Sequence, residues 1–129
     1  MQIAHLQPTY LADLADLCGQ AGFIDEGLSC VDKALKYAKE TGARRNEAEL
    51  YRLQGELLQR VVDETRQTAN TPEMSFLKAL EIARRQQAKS LELRVAISLC
   101  RLWLQQDKQN EARELLSRAC RVIGRMLSN

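Results

Sequence analysis

The residues able to do chemistry in this chain are sparse. Its thiols are Cys18, Cys30, Cys100 and Cys120, and His5 is its single imidazole. No two cysteines stand in CxxC spacing, and His5 lies outside the regular pattern of the chain, so the usual zinc ligand groupings are missing. A nucleophile needs a base within reach, and no cysteine has a histidine within a helical turn. Asp13 and Asp16 fall on one helix face, an arrangement more common for solvated carboxylates than for an acid and base working in a cleft. The expectation is a protein that is not an enzyme, with no catalytic residue, no metal and no cofactor.

A cluster of basic residues lies in ALEIARRQQAKSLELR, residues 79–94, which holds Arg84, Arg85, Lys89 and Arg94. A phosphate site is one reading of it. The other is a helix-to-helix turn: Arg84 and Arg85 would offset the last carbonyls of one helix, Ser90 would cap the next, and Glu81 and Glu92 sit among the bases. The turn is the preferred reading. The whole chain supports it, because a formal charge of +2 over 129 residues, with 28% charged and 45% apolar, recruits neither nucleic acid nor an anionic membrane. That composition suits one domain with a core. The opening MQIAHLQPTYL is not a signal peptide, and no apolar run approaches a membrane span. These readings point to a cytoplasmic protein.

The elements that carry these residues are helices. In TYLADLADLCGQAG, Tyr10/Leu11, Leu14, Leu17/Cys18 and Ala21 recur as one helix face, and Gly22 stops it. The next segment repeats the pattern with Ile24, Leu28, Val31, Ala34/Leu35 and Ala38, has Lys36 and Lys39 near its end, and meets Gly42. A third helix is expected from about Asn46 to Val62, with Leu50, Leu53, Leu57/Leu58 and Val61 inward and Asn46 and Glu49 at capping-box spacing. The polar stretch DETRQTANTP predicts a loop over 63–71 that ends in Thr71 as N-cap and Pro72 at the first position of a fourth helix. There Phe76, Ala79/Leu80 and Ala83 face inward. SLELRVAISLCRLWLQQ and NEARELLSRACRVIGRML complete six helices, the last with Ala112, Leu115/Leu116, Ala119/Cys120, Ile123 and Met126/Leu127 toward the core. Each cysteine then falls on or beside an apolar stripe, as a buried reduced thiol.

Helix pairs starting near residues 8, 46 and 90 resemble the tetratricopeptide repeat. Leu11, Leu14, Ala15 and Cys18 with Gly22, Gly27, Val31 and Ala34 carry the likeness in the first pair; Tyr51, Gly55 and Leu58 with Phe76 and Ala79 carry it in the second. Ala96, Leu99, Cys100 and Trp103 with Ala112, Leu116 and Ala119 carry it in the third. No proline follows the second helix of any pair. The resemblance implies an all-α fold, an α-solenoid of three antiparallel hairpins (8–42, 46–88 and 90–127) in a right-handed superhelix, forming one domain over 1–129. The segments AELYRLQGELLQR and FLKALEIARRQQAKSLELRVAISLCRLWLQQDKQNEARELL also resemble the C-terminal repeat region of bacterial ATPase-type signalling regulators and class III adenylate cyclase fusions. That implies a regulatory segment, and a piece of a longer chain. No GxxxxGK[ST] phosphate loop or cyclase domain is present, so those activities do not carry over.

In the register of that family, the first helix of each pair lines a concave groove. Its positions not used for packing are Asp13, Asp16, Arg52, Glu56, Arg94, Ser98 and Arg101. The expected function is protein or peptide binding in this groove, with Arg94 and Arg101 taking carboxylates through their planar forks. Two alternatives stay open: a small-molecule effector sensor with a pocket near Trp103 and Leu104, and a self-association module that forms a homo-oligomer through its terminal helices.

Overall fold

A computed structural model describes residues 8–42, 44–61 and 71–128. It consists of helices α1 (Pro8–Ala21), α2 (Ile24–Thr41), α3 (Glu47–Gln59), α4 (Pro72–Arg85), α5 (Lys89–Gln105) and α6 (Gln109–Ser128), with no strand among the described residues. His5, Val62, residues 63–70 of the expected loop and the side chains of Tyr10 and Leu11 lie outside what the structure describes.

Local chemistry accounts for most of the boundaries. Thr71 is extended and its hydroxyl oxygen accepts from the Met74 amide at 3.2 Å, with Pro72 in the first turn, so α4 begins as its sequence requires. Gly42 closes α2 in the left-handed region, at φ 74°. Two expected caps are corrected. Ala88, not Ser90, is the N-cap of α5, so the Ser90 hydroxyl falls inside the helix and no side chain caps it. Asn46 does occupy the N-cap of α3, but its side chain makes no cap hydrogen bond.

One turn geometry recurs three times. After α1, the Phe23 amide donates to the Cys18 carbonyl at 2.8 Å, and Gly22 takes φ 89°. After α4, Ala88 donates to Ala83 at 2.9 Å and Gln87 takes φ 56°; after α5, Lys108 donates to Trp103 at 2.8 Å and Asp107 takes φ 59°. All three are six-to-one closures around a left-handed residue. Only the first uses glycine, so only the first announces itself.

Each helix packs on its neighbours in sequence, and in addition α1 touches α3 and α3 touches α5. No packing of that extent joins α2 to α4 or α4 to α6 among the described residues. The odd helices therefore share a face. The core is in three parts: one of α1, α2 and α3 around Val31, Leu50 and Leu53; one of α4, α5 and α6 around Phe76, Val95 and Leu99; and a small one at Ala48, Ile82 and Ala83. Tyr51 packs against all three.

Close approach of α3 and α4 depends on Gly55. A Cβ there would lie 2.6 Å from the buried Phe76 ring, far inside contact distance. The ring fills the space the glycine leaves.

The outer helices depart from the expected stripes. On α1 it is Ala12 and Ala15 that are buried, while Leu14 and Leu17 are 48% and 60% exposed. On α6 only Ala112 and Leu115 are buried, and Leu116, Ile123, Met126 and Leu127 are exposed, as is Cys120. The reason is coverage: α6 packs extensively on α5 alone, so one short stripe in its first half finds a partner. Cys100 is buried, and Cys18 and Cys30 are half-buried.

Candidate functional site

The face shared by α1, α3 and α5 carries a ladder of charge centred on a residue the sequence reading passed over. Glu49, in the first turn of α3, grips Arg52 in the next turn with both oxygens: Nη2 donates to Oε1 at 2.7 Å and Nε to Oε2 at 3.0 Å. This is the two-pronged geometry that suits guanidinium and carboxylate. Glu49 Oε1 also meets Arg94 Nη1 of α5 at 3.4 Å, and Arg52 Nη1 lies 3.6 Å from Glu56 Oε1. Burial works against the Arg52 charge, but the Glu49 hydrogen bonds and the charges of Glu49, Glu56 and Asp16 outweigh it and lift its pKa above the ordinary value. The ion pairs thus run from Glu56 through Arg52 and Glu49 of α3 to Arg94 of α5, with the charge of Asp16 on α1 nearby.

Of the residues predicted for this groove, Arg52, Glu56 and Arg94 join one network of ion pairs, while Asp16 accepts from Gln20 Nε2 at 3.3 Å and acts on Arg52 only through its charge. Asp13 and Arg101 are exposed at its margins and join no ion pair with them. Ser98 is corrected: it is 4% exposed, inside the core, because α5 turns the Val95, Ser98, Leu99 and Leu102 stripe toward its neighbours. Glu49 was legible as a cap partner of Asn46. Its spacing to Arg52 and Glu56, three and seven residues on, would have found the ladder instead.

Arg52 and Glu49 are mostly covered, with side chains 14% and 17% exposed, whereas Arg94 is 62% exposed. The first pair therefore ties successive turns of α3 together, and only the Glu49–Arg94 contact crosses to another helix. Arg94 is held at one point only, and an exposed pair of this kind contributes only up to about 1 kcal/mol.

A second feature lies between α4 and α6. A cleft of about 250 Å³ is floored by Leu80, Trp103 and Leu115, and the Trp103 ring is fixed by its Nε1 donating to Glu73 Oε1 at 2.7 Å. Leu104, expected beside Trp103, does not line it and is 51% exposed. Among the described residues no group of three His, Cys, Asp or Glu is placed to hold a metal ion, and no helix is long and apolar enough to cross a membrane.

No protein-family model matches the chain, and no curated protein or solved structure matches it either.

Proposed function

We propose that this chain is a helical-repeat interaction module of tetratricopeptide type, with three hairpins, α1/α2, α3/α4 and α5/α6, that binds a peptide or partner segment along the face of α1, α3 and α5. The single observation that carries the reading is the contact of α1 with α3 and of α3 with α5, without equal contact among the even helices. Stacked hairpins with one helix of each pair on a common side present a continuous surface, and such surfaces bind extended partners. Small residues at close approaches, Gly27 and Gly55, agree with the packing logic of such repeats.

Within the face, roles divide by burial. Arg52 and Glu56 are spent on the ladder and shape the surface. Arg94 and Arg101 are the exposed cations available to carboxylates of a partner, and Asp13 and Asp16 are exposed anions at the other end. The likeness to the repeat regions of bacterial ATPase-type regulators and cyclase fusions supports a regulatory role in signalling for the bound partner.

The test is selection from a random peptide display library against the intact chain. Selected peptides are expected to carry carboxylates toward the α5 end, and the R94E/R101E variant to weaken them by about tenfold or more through charge reversal. Equal binding by both proteins would remove this face from the reading.

A further inference from the structure

A strip of arginines lies at the far end of the cleft between α4 and α6. Arg118, Arg121 and Arg125 recur on one stripe of α6, and Arg84 faces them from the end of α4; with Glu92 and Val122 they border an open hollow of about 250 Å³. The hollow shares Arg84 and Arg118 with the apolar cleft over Leu77, Trp103 and Leu115. The two form one trough, apolar at one end and cationic at the other.

The charges at the cationic end do not cancel. Glu92 is the one carboxylate among the residues lining it: Oε2 lies 3.4 Å from Arg84 Nε, while Oε1 is buried without a hydrogen-bond partner, the Lys89 ammonium standing 3.9 Å away. Arg118 pairs with Glu114 at 3.4 Å, and Arg121 reaches only the Ser117 hydroxyl at 3.5 Å. Neither Arg121 nor Arg125 meets a carboxylate among the described residues. Like charges at three and four residues along a helix repel. The helix dipole explains a cation in the last turn, where Arg125 sits, but its effect fades before Arg118 and Arg121. The Glu114 pair offsets the charge of Arg118 only, and an anion bridging the guanidiniums would relieve the repulsion that remains at Arg121 and Arg125.

We infer that this trough binds a phosphomonoester carried on an aromatic or aliphatic group. Near neutral pH such a phosphate carries close to two negative charges and offers three acceptor oxygens, which suits several guanidinium forks converging from two helices. The apolar body lies over Leu77, Trp103 and Leu115. Glu111 and Glu114 border that end, so the phosphate is directed away from them and toward Arg121 and Arg125. The inference is independent of the α1, α3 and α5 face, which shares none of these residues.

Trp103 is the only tryptophan of the chain, so its fluorescence reports occupancy directly. The experiment titrates the intact chain with phenyl phosphate, inorganic phosphate and phenylacetate at constant ionic strength, and repeats the titration with R121Q/R125Q after circular dichroism shows equal helicity. Expected are a saturable change of Trp103 emission with phenyl phosphate, binding weaker by about tenfold for each of the other two probes, and a loss of about tenfold in the variant. A peptide bearing phosphotyrosine between alanine and glycine residues separates the two sources of this chemistry. Tighter binding than phenyl phosphate assigns a protein side chain, and equal binding assigns a free phosphate ester; both require the trough. Absence of a saturable response to phenyl phosphate, or an affinity unchanged in R121Q/R125Q, overturns the inference. Equal affinity for phenylacetate overturns the choice of phosphate.

Discussion

At the scale of single residues, burial decides which charges and thiols are available. Glu49 is the acceptor for both nitrogens of a mostly covered Arg52, so its loss leaves a desolvated guanidinium short of two hydrogen bonds. Glu49→Ala is expected to destabilise the fold by about 1 to 3 kcal/mol in urea unfolding. Arg101→Ala, which removes an exposed side chain outside the ladder, is expected to leave the midpoint nearly unchanged. The thiols divide in the same way. Burial raises the pKa of Cys100, and for Cys30 burial and the neighbouring Cys18 raise it against the opposing charge of Lys33. A thiol whose native pKa is raised keeps its proton longer than in the unfolded chain, so stability is complete below the ordinary thiol range and falls as pH rises through it. Alkylation followed by mass spectrometry should modify the exposed Cys120 first and Cys100 last, because thiolate and access are both needed.

At the scale of elements, two kinds of backbone position respond in opposite directions to the same exchange of glycine and side chain. Gly55→Ala forces a methyl into the Phe76 ring and is expected to cost about 1 to 3 kcal/mol, with the loss confined to α3 and α4 packing. Gln87→Gly and Asp107→Gly remove the left-handed penalty of a side chain and are expected to stabilise by up to about 1 kcal/mol each, less the added freedom of glycine in the unfolded chain. Thermal unfolding of the three variants checks both signs. The same closure recurs after α1, α4 and α5 with glycine, glutamine and aspartate at its left-handed position.

At the scale of the whole molecule, uneven coverage of the helices makes stability uneven. Among the described residues α6 packs extensively on α5 only, with no buried residue after Leu115. Amides of α6 beyond Leu116 are therefore expected to exchange with deuterium faster than those of α4 and α5, read by hydrogen exchange and mass spectrometry. Equal protection along α6 would show that something beyond these contacts covers its apolar stripe. Binding of an anion at Arg121 and Arg125 would slow exchange in the same segment, which links this measurement to the trough.

The chain's own periodicity determined the helices, because a stripe of apolar side chains at three and four residues has no other way to bury itself. Glycine, proline and threonine chemistry set the ends at Gly22, Gly42 and Thr71. It did not determine which stripe wins on an outer helix: Leu14, Leu17 and Ile123 have the right spacing, but a side chain is buried only if a neighbour stands over it. Nor did it set apart Arg94, exposed and held at one point, from Arg52, committed to Glu49, since both are arginines on odd helices. The gathering of Arg84 with Arg118, Arg121 and Arg125 was beyond its reach for the same reason. Their convergence depends on how α4 and α6 are set against α5, and that is settled by packing between residues far apart in the chain.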